Sequence, residues 1–158
     1  MLHVTPCLIM TKKIDKPLPD CFSREVRIGL RYWAPAILYA GLIIFLSSDP
    51  SPERHFPDEF AIFNDKIVHV FEYAILGILC YRVFQFGAGP GPSQFSVYLA
   101  ILTAGIFGLT DEIHQSFVPN RIADKLDFLA DCTGALIGSI SWEWLHKTGR
   151  IYDHCEES

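Results

Sequence analysis

The sequence predicts an all-α membrane protein, a four-transmembrane-helix bundle with both termini in the cytoplasm. Three observations lead there. Half of the 158 residues are hydrophobic and the mean hydropathy is positive. The apolar residues lie in long runs separated by strong turn signals, and one run, from Val83 to Thr110, carries no charge at all. Lys and Arg are also unevenly divided between the two ends of these runs. A soluble four-helix bundle is the competing fold class, and the length and uniformity of the apolar runs speak against it.

Residues 1–28 read as a cytoplasmic tail. Leu8-Ile9-Met10 is too short for a signal-peptide core, and Lys12 and Lys13 follow it rather than precede it. Met10, followed by Thr-Lys-Lys, is an alternative start to Met1. The first span runs from about Leu30 to Ser48 and is uncharged from Tyr32 onward, close to the ~20 apolar residues a ~30 Å hydrocarbon core requires. Pro35 falls in its first turn, where a missing N–H costs little. Ser47-Ser48-Asp49-Pro50-Ser51-Pro52 ends it. The loop that follows carries His55, Phe56, Phe60 and Phe63, suited to the membrane interface.

The second span is expected from about Asp65 to Phe86, the third from about Phe95 to Phe117 and the fourth from about Asp124 to Leu145. Gly-Ala-Gly-Pro-Gly-Pro at 87–92 and Val-Pro-Asn-Arg at 118–121 separate them. The second and fourth are weaker by hydropathy because they contain His69, Glu72 and Asp131. Residues 29–147 thus form the bundle, and 148–158 a cytoplasmic C-terminal tail.

Orientation follows from nine Lys and Arg on one side (the N-terminal segment, Arg82, Lys147 and Arg150) against four on the other (Arg54, Lys66, Arg121 and Lys125). Trp33, Trp142 and Trp144 fall at the predicted inner interface, which agrees. The net charge of −5 includes no basic face, so no nucleic-acid partner is expected. Cysteines 7, 21, 80, 132 and 155 have no metal-like spacing and no disulfide pattern. Ion translocation needs polar groups across the whole membrane, and the cytoplasmic half lacks them.

With this topology, three polar stretches converge on the extracytoplasmic side: Lys66, His69 and Glu72; Asp111, Glu112, His114 and Gln115; and Asp124, Asp127 and Asp131. At ~1.5 Å per residue, Asp111 lies roughly 9 Å below Phe117, and Glu72 is at a similar depth below Asp65. At 100° per residue, Lys66, His69, Tyr73 and Leu76 share a face with Glu72 at its margin. Asp111, Gln115, Gly108 and Ala104 align with His114 beside them, and Asp127, Asp131, Gly134 and Gly138 form a stripe. Gly134 and Gly138 are read as a close-packing site.

Asp65-Lys66-Ile67-Val68-His69 with Tyr73 and Leu76, then Asp111-Glu112-Ile113-His114-Gln115 with Pro119 and Arg121, then Asp127 with Gly134 and Gly138, together resemble the VanZ-like family of small bacterial integral membrane proteins. The resemblance covers roughly Trp33 to Leu145. It implies a multi-pass protein of the bacterial inner (cytoplasmic) membrane in a cell-envelope setting. The family's namesake is associated with resistance to the glycopeptide teicoplanin, and the resemblance supplies no reaction. This chain departs from the family pattern at Asn120, usually Gly, and at Asp131, usually Asn.

Two function classes fit these residues. In an enzyme acting on a lipid-linked substrate, Asp111, Glu112, His114, His69 and Asp127 supply general acid and base, while Lys66, Glu72, Gln115, Arg121 and Asp131 contact the ligand. Arg121 suits a phosphate or carboxylate. There is no phosphate-cradling loop or nucleophile motif. In a non-enzymatic protein, the same pocket binds a membrane lipid, a lipid-linked envelope precursor or a glycopeptide-related ligand, or supports a partner membrane protein or a homo-oligomer as a scaffold. No cofactor is expected. The alternative is a divalent metal held by His69, Glu72, Asp111 and His114, since His-x-x-Glu and Asp-x-x-His place their side chains one turn apart.

Overall fold

The computed structural model describes residues 21–50, 61–121 and 123–156, and among these residues it contains helices and turns but no strand. The aromatic loop of His55, Phe56 and Phe60 lies outside the described residues, as does the side chain of Phe63. The first rod begins well before Leu30. Helix α1 (Cys21–Ile28) passes through a π-helical turn, Gly29–Trp33, into α2 (Ala34–Ser47). Pro35 explains the π turn, because it has no N–H to return to the carbonyl of Arg31. The backbone shifts register just upstream, where Ala34 N–H reaches the carbonyl of Gly29.

Helix α3 (Ala61–Arg82) starts earlier than the sequence suggests and ends in a second π-helical turn, Val83–Gly87. Asp65 therefore lies inside the helix rather than at its start. A sharp connection follows, in which Gly89 adopts φ 87°, a value that favours glycine, and the short α4 (Pro90–Ser93) leads into α5 (Ser96–Gln115). After α5, Asn120 takes a left-handed φ of 64°, so this asparagine fills a turn position suited to Gly. The last helix, α6 (Lys125–Glu156), continues past the expected boundary at Leu145.

Among the described residues, three segments are long and apolar enough to cross a membrane: Glu25–Ser47, Lys66–Gly87 and Ser96–Gln115. Helix α6 has 32 residues, which at ~1.5 Å each span more than a hydrocarbon core, but its acids and polar C-terminal turns keep it out of that group. Large apolar side chains face outward, among them Leu38 and Phe45 on α2, Phe71 on α3 and Leu102 on α5. Such a surface belongs against lipid.

The interior is correspondingly small-grained. Ala100, Ala104 and Ala135 are fully buried beside Tyr73, Leu76 and Tyr81. Helices α3 and α6 touch backbone to backbone. A Cβ at Gly134 would collide with the carbonyl of Val70, one at Gly138 with that of Ala74, and one at Gly77 would stand 2.6 Å from the carbonyl oxygen of Ala135. The Ser139 hydroxyl uses this proximity to donate to the carbonyl of Gly77 at 3.2 Å. Helix α5 covers both, and α2 rests more loosely on α3 and α5.

The helices alternate in direction, so the described chain enters and leaves at one end. That end is closed by aromatics: Tyr32 stacks on Phe86 at 5.6 Å, Phe86 meets His146 edge-on at 5.1 Å, and Trp33 Nε1 donates to the Gly87 carbonyl at 3.4 Å. The opposite end gathers the polar residues.

Candidate functional site

At the polar end, the last turns of α2 and α5 meet the first turns of α3 and α6. Helix α5 brings two neighbouring acids, Asp111 and Glu112, both buried. Successive residues on a helix are 100° apart, so they serve different neighbours.

Asp111 turns toward α2. Its Oδ1 accepts from the Ser47 hydroxyl at 2.7 Å, and its Oδ2 from Gln115 Nε2 at 3.1 Å. One turn on, half-buried His114 and Ser48 hydrogen-bond at 3.0 Å. Because the Ser48 hydroxyl donates to the Ile44 carbonyl at 2.6 Å, His114 donates from Nε2–H. This half of the site is an almost closed circuit of donors and acceptors.

Glu112 turns toward α6. Its Oε2 accepts from the backbone N–H of Asp124 at 2.9 Å, which fastens the turn between α5 and α6. Its Oε1 is buried without a hydrogen-bond partner. On α6, Asp131 is completely buried; its Oδ1 accepts from His69 Nδ1–H of α3 at 2.8 Å, and its Oδ2 has no partner. The Tyr73 hydroxyl, one turn along α3 from His69, is also buried and unpartnered. Gly108 makes this arrangement possible, since a Cβ there would stand 3.0 Å from Asp131 Oδ2 and 3.2 Å from the Tyr73 ring.

Nearer the rim, Lys66 bridges to Asp124 at 2.9 Å and to Asp127. Asp124 also accepts from the Leu126 N–H at 2.9 Å as the N-cap of α6. That amide and the Lys66 ammonium hold its carboxyl below the usual carboxylate range. Arg121 Nε donates to the carbonyl of Asp49 at 3.3 Å, tying the α5–α6 turn to the end of α2.

The predicted residues therefore share one end of the bundle but separate into groups. His69, Glu112 and Asp131 come together in the interior. Lys66, Asp124 and Asp127 form a rim network, and Asp111, Gln115 and His114 face α2. Glu72 is half-buried and within electrostatic range of Tyr39 and Tyr73. The tetrad of His69, Glu72, Asp111 and His114 is not the set that comes within metal-binding reach; among the described residues that set is His69, Glu112 and Asp131.

Sequence reasoning missed Ser47 and Ser48. Helix α2 is apolar all round, so it shows no periodic face by which to aim them, and a Ser-Ser-Asp-Pro stretch reads as a helix stop. It placed Tyr73 on the correct face without assigning it to the site. The signal was present in the four-residue spacing from His69.

An apolar groove opens below the polar layer, between α2, α3 and α5. Leu76, Cys80 and Phe107 line its deep side, Ala40 and Ile37 its α2 side, and Trp33 its far end. Phe107 also packs against Tyr73, with ring centroids 6.3 Å apart, so the groove begins where the polar cluster stops.

Comparison with known proteins gives the chain its relatives. A stretch of 85 residues, 53% of this chain, is 32% identical to an uncharacterized protein of the fission yeast Schizosaccharomyces pombe. The match covers 49% of that protein, so the chain spans about half the length of this relative. No solved structure matches. The profile of one family, described as VanZ/LLP1, matches residues 32–146. That range takes in the aromatic end, the groove and every polar residue described above, and the chain belongs to the VanZ/LLP1 family.

Proposed function

We propose that this protein binds a lipid-linked ligand at the polar end of a four-span bundle, in the outer leaflet of a bacterial cytoplasmic membrane, with both termini inside. In this reading α6 is the fourth span, its two deep acids compensated by α3 and α5. The ligand is a membrane lipid or an envelope precursor whose charged head meets the polar layer and whose chain lies in the apolar groove. A role in resistance to teicoplanin-type antibiotics or to envelope stress would follow from capture or modification of such a precursor.

The observation that carries the reading is the juxtaposition of buried, incompletely bonded carboxylates with an apolar groove between α2, α3 and α5. Polar groups at membrane depth are costly unless used. His69 and Glu112 have the chemistry of a proton donor and acceptor, and Arg121 lies at the rim for an anionic head group. A scaffold whose polar network is purely structural is the second reading. It is favoured by Lys66, which is already held by two carboxylates, and by Asp111, whose oxygens are both bonded.

Native mass spectrometry of the protein released from mild detergent separates the two. A retained lipid, lost in Leu76→Trp (which fills the groove) and in Arg121→Ala, supports the ligand reading; a bare protein throughout supports the scaffold. A reporter fused after Glu157 tests the topology, and an extracytoplasmic signal there would move the site to the inner leaflet.

A further inference from the structure

The geometry points to a divalent transition-metal site formed by His69, Glu112 and Asp131. One imidazole nitrogen and one carboxylate oxygen from each acid lie within 4.8 Å of one another. Ligands of a tetrahedral ion bound at ~2.1 Å are ~3.4 Å apart, so side-chain movements of about an ångström bring all three onto one centre. The three residues come from three different helices, α3, α5 and α6, and each is at least nine-tenths buried.

Proximity alone would be weak. The second observation is that the cluster contains acceptor oxygens with nothing to accept: Glu112 Oε1 and Asp131 Oδ2 are buried and unpartnered. The remaining oxygens are engaged, Glu112 Oε2 by the Asp124 amide and Asp131 Oδ1 by His69. The Asp124 amide holds Glu112 as an outer partner holds a metal ligand elsewhere, while His69 and Asp131, already in contact, both turn to the ion. Lys66 is committed to Asp124 and Asp127, so its charge is already shared. A doubly charged ion satisfies both open oxygens and balances both carboxylates in one step.

The donor set selects the ion. Imidazole favours zinc-like ions over calcium and magnesium, and a set without thiolate does not suit copper(I). Three protein ligands leave a coordination position for water or for a ligand's oxygen. The buried Tyr73 hydroxyl is one helical turn from His69. The inference stands whether or not a lipid binds below.

The test uses the full chain without a polyhistidine tag, purified in mild detergent, stripped with chelator and reloaded with Zn²⁺ or Co²⁺. Elemental analysis after desalting is expected to give one ion per chain, and Co²⁺ to show the d–d absorption of a low-coordinate nitrogen and oxygen site without a thiolate charge-transfer band. Glu112→Gln and Asp131→Asn, shown to be folded by circular dichroism, are expected to weaken Zn²⁺ binding at least tenfold. Failure of the wild-type chain to retain an ion, or equal retention by both folded variants, overturns the site. Should the variants not fold, the Co²⁺ spectrum decides: a thiolate band would assign the ion to cysteine, and an aqueous spectrum would leave no site.

Discussion

Asp111 and Glu112 are neighbours in sequence, equally buried and chemically almost identical, yet the fold treats them differently. Both oxygens of Asp111 are bonded within the protein, by Ser47 and Gln115. Glu112 spends one oxygen on the backbone of Asp124 and leaves the other open beside Asp131 and His69. One side of α5 is a structural clamp on α2. The other is an unfinished polar cluster against α3 and α6. In a membrane bundle, burial of a carboxylate therefore does not mark a site; the bonds its oxygens lack are more informative.

The largest expected effect removes the framework of the second side. Gly138→Leu drives a side chain into the carbonyl of Ala74 and should cost about 3 kcal/mol or more, since overpacking alone costs about 1–3 kcal/mol and here the obstacle is backbone. Thermal unfolding in detergent would show it. The effects of Gly138→Leu and Asp111→Ala should add to within about 0.5 kcal/mol, because the clamp on α2 does not depend on α6. Strong non-additivity would mean that the two sides are not separable.

Next come the two acids themselves. Asp111→Ala leaves Ser47 and Gln115 without their shared acceptor and should destabilise by about 1–3 kcal/mol. Glu112→Gln keeps an oxygen for the Asp124 amide and removes a buried charge, so its stability without metal should stay close to the parent's. A smaller effect is expected for Ser47→Ala, about 1 kcal/mol, with the Gln115 bond to Asp111 retained.

The smallest effect is at the rim and depends on pH. The folded-state pKa of Asp124 is depressed by the Leu126 amide and Lys66, so its contribution is present above the ordinary carboxylate pKa and disappears as pH falls through the depressed value. Asp124→Asn retains the cap but should flatten that acid limb of the stability profile. An unchanged limb would assign it to other carboxylates.

Much of this arrangement is legible in the sequence. The breaks at 87–92 and 118–121, the stripes of α3, α5 and α6, and the gathering of His69, Glu112 and Asp131 at one end all follow from helical period and chain reversal. The clamp on α2 did not, because α2 offers no polar face to set its rotation and a serine at a helix end is ambiguous. Nor did the division between Asp111 and Glu112, since a helical wheel gives direction but not which oxygen finds a donor. The π turns at Gly29–Trp33 and Val83–Gly87 were hidden for a similar reason: they adjust backbone register locally without changing the apolar pattern.

The most direct test compares unfolding temperatures of the parent, Asp111→Asn and Glu112→Gln, each with and without Zn²⁺ in excess of the site. An ion bound only by the folded state raises stability by about 2.7 kcal/mol at a hundred times its dissociation constant. The expected result is a parent stabilised by Zn²⁺, an Asp111→Asn protein that starts lower but gains as much, and a Glu112→Gln protein that starts level and gains little. Equal responses from the two variants would contradict the division of labour between these adjacent acids.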